Sequence, residues 1–183
     1  MFSRILSLIL LIIFFPFYFL IALAIFIEDG YPIFFTQKRV GVNYSFFKIY
    51  KFRSMKKSTP NVATHLLVNP DQYILKVGKL LRNASLDELP NLLNIVKGEM
   101  VFVGPRPALF NQDDLMKLRV ETGVYKLKPG ITGWAQINGR DEVSISEKVS
   151  LEQEYLYRQS LLFDLEIILK TFLNVLVRKG ISH

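Results

Sequence analysis

The chain of 183 residues contains no cysteine and only two histidines, His65 and His183. A disulfide framework, thiolate metal sites and a multi-histidine metal site are therefore excluded. Charged side chains are missing between residues 5 and 27, so the net charge of +7 belongs to the rest of the chain. Half of the residues are hydrophobic, 15 are phenylalanine and 21% are charged. A fully embedded bundle would carry fewer charges, and an ordinary soluble domain fewer phenylalanines.

The uncharged run has 23 residues, and its only polar side chains are Ser7 and Tyr18. As a straight helix it would be about 34 Å long at ~1.5 Å per residue, enough to cross the hydrocarbon core. A signal peptide would have a shorter apolar core of about 7–15 residues and a small-residue cleavage site, so the run does not fit one. Pro16 removes a backbone donor and clashes with the Ile12 carbonyl, which predicts a bend. These residues leave a bent transmembrane helix and a re-entrant hairpin as alternatives.

Basic residues follow the uncharged run closely. Seven lysines and arginines lie between residues 38 and 57, whereas only Arg4 and the terminal amine precede the run. This asymmetry predicts that the body of the protein stays on the cytoplasmic face. Residues 45–53 mix aromatic and basic side chains on both faces, which suits the lipid headgroup zone, where each cation gains ~1 kcal/mol. Nucleic-acid binding would use a similar patch, but the neighbouring apolar anchor argues against it.

Hydrophobic periodicity predicts a mixed α+β domain. Strands are expected at 33–36, 45–53 and 100–103, and helices at 72–82, 86–97, 107–120, 144–158 and 161–178. The stretches 56–71 and 125–140 are rich in turn-forming residues and are expected as loops. Apolar side chains cover a wide part of the surface of the last helix. It is therefore predicted either to lie in a membrane interface or to pack as an ordinary amphipathic helix.

Asp87 and Glu88 stand side by side in a capping-box pattern that begins at Ser85. The pattern predicts that Ser85 caps the helix and that Glu88 reaches back to it, and the helix dipole favours acids there. Pro90 is expected to loosen the helix beside Asp87, because it cannot donate to the Leu86 carbonyl. Carboxylates can also attack phosphorus or bind Mg²⁺ together with substrate phosphates. Neighbouring acids repel, so the more buried one is expected to hold its proton more tightly.

Two later segments carry candidate phosphate-binding groups. Arg106 lies between two prolines after Gly104, which permits close approach of the backbone to a ligand. A guanidinium held in this way suits bidentate phosphate recognition, and an exposed or salt-bridged arginine in a rigid turn is the alternative. Residues 130–140 end at Arg140 and bring the only tryptophan into glycine-rich turns. This segment is neither a P-loop nor a dinucleotide fingerprint, so a nucleotide site and a structured surface loop both fit it.

Taken together, these segments resemble the bacterial sugar transferase family, the monotopic phosphoglycosyl transferases of the small catalytic-core type. The matching stretches occur in the order 35–41, 47–55, 80–90, 102–107 and 129–140. Their order makes the resemblance specific, and it covers nearly the whole chain. One position departs from the family pattern, which usually has a serine before the bend proline, where this chain has Phe15.

The resemblance implies transfer of a sugar 1-phosphate from a UDP-sugar to polyprenyl (undecaprenyl) phosphate, with release of UMP. The reaction would pass through a phosphosugar–aspartate and begin the synthesis of a bacterial polysaccharide, such as lipopolysaccharide or exopolysaccharide, or of another glycoconjugate. The implied fold is α+β and membrane-associated. Residues 1–30 would form a re-entrant membrane helix bent at Pro16, and residues 31–183 a catalytic domain with interfacial amphipathic helices. Its place would be the cytoplasmic face of the bacterial inner membrane.

The resemblance also implies roles for single residues and partners. Asp87 is the implied nucleophile and Mg²⁺ ligand, and Glu88 orients groups or handles protons. Other implied site residues are the phosphate-binding Arg82, Arg106 and Arg140, and the supporting Asp164. The partners would be the UDP-sugar, polyprenyl phosphate and membrane lipid, and a homodimer is compatible with the sequence. Two alternatives use the same features, a metal-dependent lipid diphosphate hydrolase and a non-enzymatic membrane scaffold.

Overall fold

The computed structural model describes residues 2–60, 69–139 and 143–176. Within these ranges the chain forms eight α-helices and four short strands, which confirms the mixed α+β class. The helices are α1 (Phe2–Ile13), α2 (Phe15–Asp29), α3 (Lys76–Asn83), α4 (Asn91–Lys97), α5 (Asp113–Glu121), α6 (Trp134–Ile137), α7 (Ile145–Arg158) and α8 (Leu161–Leu176). The strands are β1 (Phe34–Val40), β2 (Phe46–Phe52), β3 (Val101–Val103) and β4 (Gly130–Thr132). Single 3₁₀ turns cover Val42–Tyr44, Pro70–Tyr73, Leu86–Glu88 and Val124–Lys126.

The N-terminal apolar run is bent, as Pro16 predicts. Helices α1 and α2 meet at 61°, and Pro16 is the second residue of α2. In the described ranges no single helix has the length and apolar composition needed to cross a membrane, whereas α1 and α2 together meet that requirement as a broken span or a re-entrant loop. Most of the large side chains on this helix pair are exposed, with Ile12 at 68% and Phe15 at 69%.

Helix α2 is nevertheless attached to the rest of the protein. Its Tyr18 hydroxyl donates to the Leu89 carbonyl at 2.6 Å, one residue beyond the acidic pair. Ile25 of the same helix is fully buried in a cluster with Phe52 of β2 and Leu81 of α3. The bent helix pair therefore packs directly behind the elements that carry Asp87 and Glu88.

The two-stranded sheet of β1 and β2 is an antiparallel hairpin. Arg39 lies opposite Phe47 and Phe35 lies opposite Lys51, so the odd-numbered side chains of both strands share one face. Both strands were expected, but β1 begins at Phe34 and extends four residues beyond the predicted 33–36, to Val40. Residues Phe47 and Ile49 on the shared face are buried against α4.

Strands β3 and β4 form a second, parallel pair. The prediction of a loop throughout 125–140 was therefore wrong, because β4 and α6 lie within it. The glycines that suggested a loop instead permit close packing: a Cβ on Gly130 would lie 2.2 Å from the Gly104 nitrogen, and one on Gly104 would lie 2.3 Å from the Lys128 carbonyl oxygen. Two backbones approach each other here more closely than any side chain would allow.

The helix predicted for 86–97 is broken, and the capping box predicted at its start is wrong. Residues Leu86–Glu88 form a 3₁₀ turn and α4 begins only at Asn91. Ser85 has a φ of 55° in the left-handed region, and its side chain makes no cap hydrogen bond. Glu88 does not cap the helix because its carboxylate binds Lys51 on β2. The expected helix end is confirmed, since Gly98 follows α4 with a left-handed φ of 82°.

Other helix boundaries differ more modestly. The helix expected at 107–120 begins only at Asp113, and the one expected at 72–82 begins at Lys76. Helix α7 matches its prediction and has a capping box, in which the Ser144 nitrogen donates to Glu147 Oε2 at 2.9 Å. Helix α8 buries Phe163 and Ile167 while Leu162 on the opposite side is 80% exposed, so it is amphipathic as expected.

We expect Gly78→Ala to destabilise the protein by about 1–3 kcal/mol. Alanine usually favours a helix over glycine by about 1 kcal/mol. Here the added Cβ would lie 2.1 Å from the Ser54 carbonyl oxygen, so α3 would have to move away from the segment that follows β2. Thermal unfolding in detergent measures the effect, and Lys79→Ala on the exposed side of α3 is the control. A Gly78→Ala protein that unfolds at a higher temperature than the parent would contradict the close contact.

Candidate active site

Asp87 is a half-buried carboxylate with an altered acidity. Burial raises the pKa of Asp87 to about 6, and the negative charge of Glu88 adds to the rise. The positive charges of Lys51 and Arg82 act in the opposite direction. A raised pKa of Asp87 agrees with the expectation that a buried acid beside a second carboxylate holds its proton more tightly.

Glu88 connects two cations from different parts of the chain. Lys51 Nζ on β2 donates to Glu88 Oε1 at 2.6 Å. The Arg106 Nη1 atom lies 3.7 Å from the same oxygen. The Arg106 side chain is still 44% exposed, so its guanidinium remains accessible to a ligand. The acidic turn, β2 and the Arg106 turn therefore meet at one carboxylate.

The backbone that carries Arg106 is held by two other arginines. Arg119 Nη2 donates to the Arg106 carbonyl at 2.9 Å, and Arg39 Nη1 donates to the Pro107 carbonyl at 3.0 Å. Arg119 is itself fixed by a buried ion pair with Glu152, through bonds of 2.8 and 2.5 Å. The two prolines predicted a stiff turn, and these side-chain bonds add tertiary support that local sequence does not reveal.

The other predicted site residues differ in how close they lie to the acidic pair and the Arg106 turn. Arg82 lies beside Asp87: its Nε donates to Ser54 Oγ at 2.9 Å, and burial lowers its pKa while Asp87 raises it. Asp164 accepts from the Tyr155 hydroxyl at 2.8 Å, and burial raises its pKa. Tyr155 lines a cavity together with Arg106, so Asp164 binds a residue that shares a cavity with Arg106. Arg140 lies outside the described residues. Pro16 is at the helix bend and not at the site.

Two site residues were missed by sequence reasoning. A cavity beside the acidic turn is lined by Glu88 and Arg106 and also by Lys51 and Arg39. Both missed cations lie within stretches that the family resemblance matches, and both are odd-numbered residues of the hairpin. The period of two residues along a strand could have placed them on one face, but only the pairing of β1 with β2 indicates that they share it.

The acidic pair fits a magnesium site that substrate completes. The described part of the chain contains no group of three or more histidine, aspartate or glutamate side chains that could hold a metal alone. Mg²⁺ commonly binds through one or two carboxylates together with substrate phosphates, and it retains several water ligands. Asp87 and Glu88 are two adjacent carboxylates, and Asp87 forms no ion pair with the described residues, so together they could supply the carboxylate ligands that Mg²⁺ needs. The assignment of Asp87 as a magnesium ligand stays a prediction.

A family model for bacterial sugar transferases matches residues 1–178. The chain belongs to this family. The predicted family and the predicted class of enzyme, a sugar-phosphate transferase, are therefore confirmed. The transferase is 42% identical over 160 residues to an uncharacterised sugar transferase, EpsL, of Bacillus subtilis, a match that covers 86% of this chain and 76% of the relative.

Two further relatives carry more specific names. The exopolysaccharide production protein ExoY of Rhizobium meliloti is 37% identical over 187 residues, covering 93% of the transferase and 81% of the relative. The UDP-glucose:undecaprenyl-phosphate glucose-1-phosphate transferase of Escherichia coli is 38% identical over 167 residues. That match covers 87% of this transferase but only 36% of the longer relative.

We expect Lys51→Met to raise the pKa of Asp87 above its value of about 6. The variant removes the positive charge that most favours the ionised carboxylate, and a nearby opposite charge typically accounts for about one pH unit or more. Carboxyl ¹³C NMR of the aspartates across a pH titration measures the midpoint. Lys97→Met is the matched control, since Lys97 binds Tyr50 on the outer side of the hairpin. An Asp87 midpoint that stays the same or falls in Lys51→Met would contradict the arrangement.

Proposed function

We propose that this transferase moves a sugar 1-phosphate from a UDP-sugar to undecaprenyl phosphate, giving undecaprenyl diphosphate sugar and UMP. One observation carries the proposal: the desolvated Asp87 lies beside two cations, Lys51 and Arg82, and its neighbour Glu88 lines a cavity together with Lys51 and Arg106. A carboxylate with little solvation is a competent nucleophile, and the cations suit a diphosphate that bears negative charge. The activity for which the Escherichia coli relative is named supplies the substrate class.

The reaction consists of two displacements at one phosphorus. An Asp87 oxygen attacks the β-phosphorus of the donor, a new carboxylate–phosphorus bond forms, and the bond to the oxygen of UMP breaks. A phosphate oxygen of the lipid acceptor then attacks the same phosphorus, and Asp87 leaves as a carboxylate. Neither step consumes a proton, so the essential requirement at neutral pH is that Asp87 be ionised. A pKa of about 6 meets this requirement and leaves the group poorly solvated.

Glu88 acts in this mechanism as a positioning group. Its Oε1 atom accepts from Lys51 at 2.6 Å and lies 3.7 Å from Arg106, so it holds both cations beside the acidic turn. Arg106 and Arg82 offset the charge that develops on the phosphoryl oxygens. Asp87, with Glu88 beside it, would hold Mg²⁺, and the ion would supply further charge neutralisation to the diphosphate.

We expect the wild-type protein to gain the mass of one sugar phosphate when a UDP-sugar is added without acceptor. Intact-protein mass spectrometry over a panel of UDP-sugars measures the gain. Undecaprenyl phosphate should remove the added mass, and one UMP should be released for each adduct formed. Asp87→Asn should lack the adduct, because an amide is a poor nucleophile. The control Asp113→Asn alters an exposed acid on α5 and should retain it.

Three other outcomes would contradict parts of this proposal. An adduct that persists in Asp87→Asn would mean that another group is the nucleophile. Phosphate released from a lipid diphosphate without any acceptor would favour the hydrolase. No UMP release from any donor of the panel would contradict the transfer reaction itself.

The bent helix pair α1–α2 is proposed to enter the membrane from the cytoplasmic face and return to it. Its exposed apolar side chains suit lipid contact, and the exposed side of α8, including Leu161 and Phe172, suits the headgroup boundary. Lys38 Nζ lies 4.0 Å from the Phe46 ring on the edge of the hairpin, a pairing suited to the same boundary. The Tyr18–Leu89 bond would then hold the acidic turn near the plane where the lipid phosphate lies.

We expect Ser3→Cys and Ser58→Cys to react with a maleimide reagent from the same side of the membrane. The parent chain has no cysteine, so each variant has a single reactive thiol and the parent is an unlabelled control. In intact spheroplasts an impermeant maleimide should label neither variant, and permeabilisation should expose both. Labelling of Ser3→Cys alone in intact spheroplasts would mean that the helix pair spans the membrane.

A further inference from the structure

Arg39 has a buried nitrogen atom whose N–H group its surroundings do not use. Its Nη1 atom donates to the Pro107 carbonyl at 3.0 Å and its Nη2 atom donates to Gln37 Oε1 at 2.7 Å. The Nε atom is buried and has no hydrogen-bond partner among the residues that the structure describes. A buried charged donor without an acceptor is costly, so such a group in a native protein calls for a ligand or an ion.

The surroundings of Arg39 carry an excess of positive charge. Arg39, Lys51 and Arg106 line the same cavity, and Glu88 is the one acidic residue among the described residues of its lining. Burial lowers the pKa of Arg39 to about 10 and repulsion by Arg106 adds to the fall, while Glu88 opposes it. Arg39 therefore stays charged at neutral pH. Three cations around one carboxylate are complementary to an anion.

A second buried group of the cavity is also without a partner. Asn91 is 1% exposed, and its Oδ1 atom accepts no hydrogen bond from the described residues. Asn91 follows the acidic turn and lines the same cavity as Arg39. Two residues that line one cavity therefore carry an unused donor and an unused acceptor. This pair of groups fits a ligand that combines anionic oxygens with hydroxyl groups, which is the chemistry of a sugar phosphate.

We propose that Arg39 binds the diphosphate of the donor, and that Arg39 and Arg106 form a two-guanidinium phosphate site. The inference rests on the proposed transfer reaction, and it adds a binding residue that neither the sequence motifs nor the family match assigned. The Pro107 carbonyl, which accepts from Arg39, belongs to the residue after Arg106. This bond ties Arg39 to the backbone of the Arg106 turn, and both side chains line one cavity, where a phosphate would engage both guanidinium groups.

A purely structural role for Arg39 is the competing interpretation, and Arg119 provides the matched control. Arg119 also donates to a carbonyl of the Arg106 turn, at 2.9 Å, but it is paired with buried Glu152 and does not line the cavity beside the acidic turn. Arg39→Lys and Arg119→Lys each keep a positive charge and each lose the guanidinium geometry that supports the turn. Only Arg39→Lys also removes the unused Nε donor.

The test is the affinity of each full-length variant for inorganic diphosphate, measured by calorimetry without divalent metal. We expect Arg39→Lys to weaken binding about tenfold, the value of one lost charge-assisted hydrogen bond. We expect Arg119→Lys to change it by less than about twofold. Thermal unfolding of both variants reports their folding. Equal losses in the two variants, or an unchanged affinity in folded Arg39→Lys, would overturn the proposal.

A second measurement uses the unaltered protein, so it does not depend on how the variants fold. In ¹⁵N-arginine-labelled protein the Arg39 Nε–H signal should shift when diphosphate is added, and a signal that does not move would overturn the proposal. Because neither measurement requires turnover, the two failures can be told apart. A shifted Arg39 signal without UMP release from any UDP-sugar would leave the phosphate site standing and contradict the transfer reaction alone.

Discussion

The ion pair between Lys51 and Glu88 is the contact on which the rest of the site depends. It joins the hairpin to the acidic turn at 2.6 Å, and the same glutamate oxygen lies 3.7 Å from Arg106. Breaking a partly buried pair of this kind leaves a charge without compensation, which typically costs up to about 3–5 kcal/mol in a fully buried setting and less here. Because Glu88 is committed to these cations, Asp87 is the carboxylate of the pair that remains for the proposed attack on phosphorus.

The raised pKa of Asp87 has a cost in stability. Its pKa in the folded protein is about 6, above the ordinary value of 3.8, so the folded state binds the proton more tightly than the unfolded state. Binding of this proton adds to the free energy of unfolding, and the addition is fully present below about pH 4. It is lost as pH rises through about 6, so the free energy of unfolding is about 3 kcal/mol lower by neutral pH. Ser85, two residues earlier, adds a left-handed backbone with a φ of 55°. The fold must therefore hold this turn from several sides, and the Tyr18 hydroxyl is one of the groups that do so.

The sequence predicted features that a single strong local constraint determines. Pro16 predicts the bend and Gly98 predicts the end of α4. Proline restricts the allowed backbone conformations and glycine widens them, wherever either residue occurs. The Ser85 capping box failed because a lysine 37 residues away from Glu88 binds the carboxylate that the cap requires. Strand β4 was missed because its glycine is needed for contact with Gly104, and that contact is visible only after β3 and β4 pair. Local patterns cannot anticipate such partners.

The position of Arg106 explains how one site could serve two successive displacements. Arg106 lines the cavity beside Glu88, and it also lines a second cavity on the side of Trp134 and Tyr155. In both proposed steps the phosphorus keeps its sugar, while the group opposite the attacking oxygen changes from UMP to Asp87. A guanidinium fixed through its own backbone can stay on the phosphoryl oxygens during that exchange, because the Arg119 and Arg39 bonds hold its turn and leave its side chain accessible. Preorganised charge of this kind needs no rearrangement between the two steps, so both transition states can use the same groups.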